Sequence, residues 1–177
     1  MENKKSQTCC FIGHRNVVET EELKNKLISI IQYLIENKKA DTFLFGSKSR
    51  FNDLCYDVVT LLKQKYPYIK RIYVRAEFPY IDDDYKDFLL QHYEDTYYPQ
   101  KVLNSGKAAY VERNCLMIDY SSFCVAYYDK NYTPPHRKNS RVSASNYQPK
   151  SGTRFACIYA KKQGTQVINV FKNRVAE

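Results

Sequence analysis

The sequence predicts an α/β fold: a Rossmann-like, three-layer domain with a mostly parallel sheet of about five to seven strands and helices on both faces. Three observations lead there. Short apolar runs of strand type alternate along the chain with longer segments of helical periodicity. The first such pair meets at a glycine, Gly13, in the strand–turn–helix order that builds phosphate sites. The 177 residues, 44% of them hydrophobic, are enough for one core of this kind.

Taken in order, Thr8–Ile12 reads as the first strand, closed by Gly13. Val18–Asn37 follows as a helix, with apolar residues at Leu23, Leu27, Ile28, Ile30, Ile31, Leu34 and Ile35. Asp41–Phe45 is a second short strand ended by Gly46. Asn52 or Asp53 is expected to cap the next helix, whose apolar face includes Leu54, Val58, Leu61 and Leu62 and which stops at Tyr66-Pro67. Lys70–Arg75 alternates charged and apolar side chains and reads as a third strand. Asp83–Tyr93 reads as a helix with acids in its first turn, where the helix dipole favours them. Thr96–Val102 is expected to hold a short strand, Tyr110–Asp119 a helix, and Ser122–Tyr128 a buried strand. Ser151-Gly152-Thr153 opens a helix running to about Lys162, Gly164 closes it, and Gln166–Phe171 is the last strand. We expect one domain over 1–177.

The stretch 129–150 is a loop holding three of the six prolines. Loops above about 12–15 residues in compact domains are usually functional lids or disordered. It belongs to a basic region: residues 130–176 carry ten Lys or Arg and no acid, whereas residues 77–95 carry seven acids against one Lys. With a net charge of +9, that split suits an anionic partner such as a nucleotide, a nucleic acid or the acidic region itself. The six cysteines form no C-x-x-C pair, and five of them (Cys9, Cys10, Cys115, Cys124 and Cys157) sit in or beside apolar segments, as reduced core thiols do. Neither a metal nor a cofactor is expected. No apolar run approaches the roughly 20 residues of a membrane span, and the N-terminus lacks a secretory-type hydrophobic region, so the expected location is cytoplasmic.

Four strand-to-helix junctions of such a sheet would share one edge: Gly13-His14-Arg15, Gly46-Ser47 with Arg50, the region after Arg75, and Asp129 onward to Ser151-Gly152-Thr153. Ligands of open α/β sheets bind outside the carboxyl ends of the strands. Glycine with Ser, Thr, Lys or Arg supplies the donors that phosphates need. Neither the Walker pattern nor G-x-G-x-x-G occurs.

Cys9-Cys10-Phe11-Ile12-Gly13-His14-Arg15, the later Glu112-Arg113-Asn114-Cys115-Leu116-Met117-Ile118-Asp119-Tyr120-Ser121-Ser122, and Ser151-Gly152-Thr153 followed by Tyr159-Ala160 resemble, in order, the YpsA-like branch of the SLOG superfamily. That superfamily takes its name from the Smf/DprA and Lonely Guy (LOG) groups. The resemblance implies a Rossmann-like domain that binds nucleotides or nucleotide-derived ligands such as ADP-ribose relatives. It implies that Gly13, His14 and Arg15 lie near the nucleotide, that Arg113 (with Asn114) occupies the position of an active-site arginine, and that Gly152 and Thr153 close a phosphate loop. Family members often self-associate, so a homo-oligomer is among the expectations.

The departures bear on activity. LOG enzymes carry a Gly-Gly-x-Gly-Thr turn followed by a glutamate; here the turn is Lys150-Ser151-Gly152-Thr153, followed by Arg154, Phe155, Ala156 and Cys157. Glycosidic cleavage needs a carboxylate near the sugar or an activated water. Asp119 or Asp129 could substitute, although nothing in the spacing requires it, and Arg113 and Asp119 are the weak candidates for a catalytic role that stays unassigned. After the second strand, Ser49-Arg50-Phe51-Asn52-Asp53 replaces a Gly-rich Gly-Phe-Asp element. The expected function is therefore binding of a nucleotide or nucleotide-derived ligand, as sensor, carrier or sequestering module. The alternatives are a nucleotide N-glycosidase and a nucleic-acid-binding protein.

Overall fold

Strand and helix alternate in the computed structural model, which describes residues 7–46, 49–76, 80–100, 107–132 and 151–171. In chain order the elements are β1 (Thr8–Gly13), α1 (Glu21–Lys38), β2 (Thr42–Phe45), α2 (Arg50–Lys65), β3 (Lys70–Val74), α3 (Asp83–His92), β4 (Asp95–Tyr97), α4 (Lys107–Asp119), β5 (Phe123–Tyr127), α5 (Gly152–Lys162) and β6 (Gln166–Asn169). The six strands form one sheet, ordered β4-β3-β2-β1-β5-β6, and every pairing is parallel. Among the described residues, no helix is long and apolar enough to cross a membrane.

β1 shows why the fold has three layers. Successive strand side chains point to opposite faces. Cys9 and Phe11 join a core with Leu23, Leu27, Ile31 and Leu34 of α1 and Leu54, Cys55 and Val58 of α2. Cys10 and Ile12 join a second core with Met117 and Ile118 of α4 and Ala156, Cys157 and Ala160 of α5. A strand covered on both faces must be apolar throughout, and Cys9-Cys10-Phe11-Ile12 is.

Element boundaries differ from the sequence expectation where side chains compete for backbone groups. α1 starts at Glu21 rather than Val18, because Thr20 Oγ1 accepts from Leu23 N at 3.1 Å and caps it. The cap of α2 is Ser49, not Asn52 or Asp53; its Oγ accepts from Asn52 N at 3.3 Å. Asn52 has turned inward instead, donating from Nδ2 to Phe11 O at 3.2 Å and accepting from Gly46 N at 3.4 Å. β6 stops at Asn169, whose side chain donates to Tyr128 O at 2.9 Å and accepts from Tyr128 N at 3.0 Å. The short strand expected within 96–102 is β4, Asp95–Tyr97; residues 101 and 102 lie outside the described residues.

Gly13 is a glycine for packing. A Cβ there would lie 2.5 Å from Phe51 Cγ and 2.6 Å from Phe51 Cβ, so the space expected for a ligand is filled by the first turn of α2. Phe51 is itself fully buried. Gly13→Ala is therefore expected to lower unfolding free energy by about 2–3 kcal/mol in denaturant titration. With Phe51→Ala in the same chain the two costs should fall well short of their sum. Full additivity would mean that the two groups do not compete for one space.

Candidate functional site

The strand order sets the location. From β1 the chain builds outward through β2, β3 and β4, then returns across β1 to lay down β5 and β6. The order therefore reverses between β1 and β5, which is where open α/β sheets hold ligands. At that point β1 ends in Gly13 and His14, and β5 ends in Tyr127, followed by Tyr128 and Asp129.

His14 ties the two strand ends together. Its backbone N donates to Tyr127 O at 3.3 Å, and its Nε2 accepts from Asp129 N at 2.9 Å. Its ring stacks on Tyr132 with centroids 3.9 Å apart. With Nε2 accepting, the ring is neutral and carries its proton on Nδ1. Burial pushes the imidazole below its ordinary value, outweighing the opposing pull of the Asp129 backbone and carboxylate. His14 is thus a structural clasp that holds Asp129–Tyr132 over the crevice. Asp129 in turn accepts from Asn131 N at 2.8 Å, closing its own turn.

The remaining candidates divide between the crevice rim and the sheet interior. Arg15 is exposed, and its carbonyl accepts from Arg50 N at 3.0 Å, which brings the β1 and β2 junctions together. Arg50 is also exposed and pairs with Glu19 at 2.7 Å. Ser151 caps α5, its Oγ accepting from Arg154 N at 3.4 Å; Gly152 is exposed with open space around its Cα, and Thr153 is buried. The first turn of α5 holds no acid. Ser47 lies outside the described residues, as do 133–150, which contain Arg137, Lys138, Arg141 and Lys150 of the basic loop.

Arg113 lies inside the protein, 2% exposed. Its Nη1 donates to Gly46 O and, at 3.2 Å, to Val74 O, while Nε donates to Asn114 Oδ1 at 3.0 Å. Its guanidinium carbon lies 5.7 Å from the centre of the Tyr110 ring. The guanidinium thus reaches from α4 across the carboxyl ends of β2 and β3. Gly46 is a glycine because Arg113 stands there: an added Cβ would come within 2.6 Å of Nη1 and 2.8 Å of Val74 O.

Asp119 lies at the far end of α4, beside Ser121 and Ser122, whose backbones meet Ile118 and the start of β1 at Thr8. Tyr159 of α5 donates to both its oxygens, at 2.9 and 3.1 Å. Burial, then the bond to Asp119, pushes the Tyr159 phenol up to about 12. Asp119 therefore belongs to the rim of strand starts, opposite the crevice.

A further cavity of about 540 Å³, absent from the sequence expectations, opens between α2 and α3. It is lined by Ser49, Arg50, Asn52, Asp53, Tyr56, Tyr73, Tyr85, Phe88, Leu89, His92 and Tyr93. Its only sequence signal was the abundance of tyrosine, 17 in all, which does not show where the rings gather.

No protein-family model and no curated protein matches the chain. Among solved structures it is similar to DNA processing protein A from Helicobacter pylori, described for its unique single-stranded DNA binding mode. The identity is 15% over 98% of this chain and 68% of that one, with a TM-score of 0.59, a likeness of fold.

Two outcomes follow from the buried groups. Arg113→Met should cost about 2 kcal/mol in denaturant unfolding by stranding the Gly46 and Val74 carbonyls, and Arg113→Lys should recover only part of it; an unmoved midpoint in either variant would contradict this geometry. For His14, the native state binds fewer protons than the unfolded chain, whose imidazole titrates near 6.5. Its contribution should be complete above that pH and fade as pH falls through the lower native value. The difference in stability between the parent and His14→Asn, followed from pH 7.5 to 5, should shrink on acidification; a constant difference would show that the ring is not held neutral.

Proposed function

We propose that the protein binds single-stranded nucleic acid along the carboxyl rim of its sheet. The observation that carries this reading is the charge on that rim. Arg15 at β1, Lys130 after β5 and Arg154 in the first turn of α5 are all exposed, and none makes an ion pair among the described residues. The N-terminus of α5 adds its own partial positive charge, with no acid in the first turn to offset it. A sugar–phosphate backbone needs such a spread of cations, and the resulting binding is sequence-tolerant and salt-sensitive. The similarity of fold to DNA processing protein A, described with single-stranded DNA, supports the same reading. It also favours the Smf/DprA side of the superfamily over the YpsA-like branch.

The second reading, a nucleotide-derived ligand such as an ADP-ribose relative held in the crevice, is favoured by the reversal of strand order between β1 and β5. The same Arg15 and the Ser151-Gly152 turn would then hold phosphate. Glycosidic hydrolysis has less support. The α5 turn brings no carboxylate, Asp119 stands on the opposite rim in the grip of Tyr159, and Asp129, though at the crevice, is turned into its own loop by Asn131 N.

Fluorescence anisotropy with a labelled oligothymidylate distinguishes the readings. Binding should weaken as salt rises, with a log–log slope of about −0.7 per phosphate engaged. Removing Arg15, Lys130 and Arg154 together should flatten that slope by about two units. If the oligonucleotide does not bind at 50 mM salt while ADP-ribose raises the melting temperature, the second reading replaces the first.

A further inference from the structure

The cleft between α2 and α3 carries chemistry unlike that of the rim. Five aromatic side chains line it: Tyr56, Tyr73, Tyr85, Phe88 and Tyr93. Tyr93 sits at the centre of the inner group, with ring centroids 5.0 Å from Tyr56 and 5.3 Å from Tyr73. On the α3 side, Tyr85 and Phe88 lie parallel at 6.3 Å and stay exposed, Phe88 by 53%. The remaining wall carries Asp53, from the first turn of α2. Among the described residues the Asp53 carboxylate accepts no hydrogen bond.

The same aromatic cluster already holds one cation by this recipe. On its inner side the Arg71 guanidinium carbon lies 5.3 Å from the Tyr56 ring centre, and Glu94 neutralises that guanidinium at 2.7 Å. The outer side repeats the tyrosine rings and the carboxylate. Arg50, the nearest cation there, is committed to Glu19 at 2.7 Å.

We propose that this cleft takes a small organic cation with an alkylammonium or guanidinium head, held by the tyrosine rings and by Asp53. Ring faces attract such heads most strongly where water is partly excluded. Partial desolvation at the cleft wall pushes the Asp53 carboxyl up, with Arg50 opposing it and Asp57 and Glu19 adding to it, so a bound cation would relieve the cost of keeping it charged. Electrostatics decides against a phosphate-bearing ligand. It would meet the Asp53 carboxylate in the wall, with Asp57 one turn further along α2 adding to the negative field, while the charge of Arg50 is already offset by Glu19. The inference is independent of the nucleic-acid reading.

Choline and its uncharged isostere 3,3-dimethylbutan-1-ol are the probes, followed by NMR of protein labelled on its tyrosine rings. Choline is expected to shift Tyr56, Tyr73, Tyr85 and Tyr93 saturably, and the neutral alcohol to bind about tenfold more weakly. Asp53→Asn, an exposed position, should weaken choline about tenfold while leaving the melting temperature within about 2 °C of the parent. Tyr85→Ala, also on the surface, should weaken it by a similar factor. Equal binding of the alcohol, no shift with choline, or a shift of these rings by AMP alone would each overturn the proposal.

Discussion

A cation buried where water cannot reach it organises one side of this sheet. The Arg113 guanidinium is nearly inaccessible and rests on the carbonyls that end β2 and β3. A charge removed from water is costly unless its donors are satisfied, and a carbonyl at a strand end is equally in need of a partner. Each solves the other's problem. Two features of the chain follow from this one interaction. Gly46 can only be glycine, and α4 is anchored over the β2 and β3 ends instead of leaving them open. The accessible part of the carboxyl edge is then displaced toward β1 and β5, where the strand order reverses.

Around that reversal the chain separates its charges. Exposed cations stand at the carboxyl rim, on Arg15, Lys130 and Arg154, while Asp119 is held by Tyr159 at the rim of strand starts. The acids of α3 stand apart again, opening that helix, where they satisfy its dipole. A net charge of +9 therefore conceals at least two surfaces of different character. One carries the exposed cations Arg15, Lys130 and Arg154. The other gathers tyrosine rings beside the Asp53 carboxylate.

The thiols take no part in either surface. Burial pushes Cys9 and Cys55 well up, and a contact with Cys10 does the same to Cys124, its neighbour in register across β1 and β5. Thiols held protonated in a core are poor nucleophiles and behave as small apolar side chains. That agrees with the position of Cys9, Cys10 and Cys124 in strands covered on both faces, and of Cys55 on the side of α2 packed into the core.

The fold was legible in sequence because periodicity is a local property. The apolar spacing of Leu23, Leu27, Ile31 and Leu34 dictates a helix wherever it is placed, and Cys9-Cys10-Phe11-Ile12 dictates a strand covered on both sides. Helix starts were less legible. Ser49 and Asn52 are both good caps, and only the packing of Phe11 O and Gly46 N drew Asn52 inward and left the cap to Ser49. The site was legible in residue types but not in roles. That His14 and Arg15 follow a strand end is a matter of sequence, as is the glycine at positions 13 and 46. That Phe51 fills the space beside Gly13, that Arg113 fills the space beside Gly46, that His14 accepts from Asp129, and that Asp119 faces away from the crevice all depend on partners 38 to 115 positions distant. By itself the sequence determined alternation, amphipathic faces and net charge, each summed over neighbours along the chain. The tertiary structure alone decided which glycine space is filled, which cation is buried and where the tyrosines converge, because those follow from contacts across the sheet that no local pattern encodes.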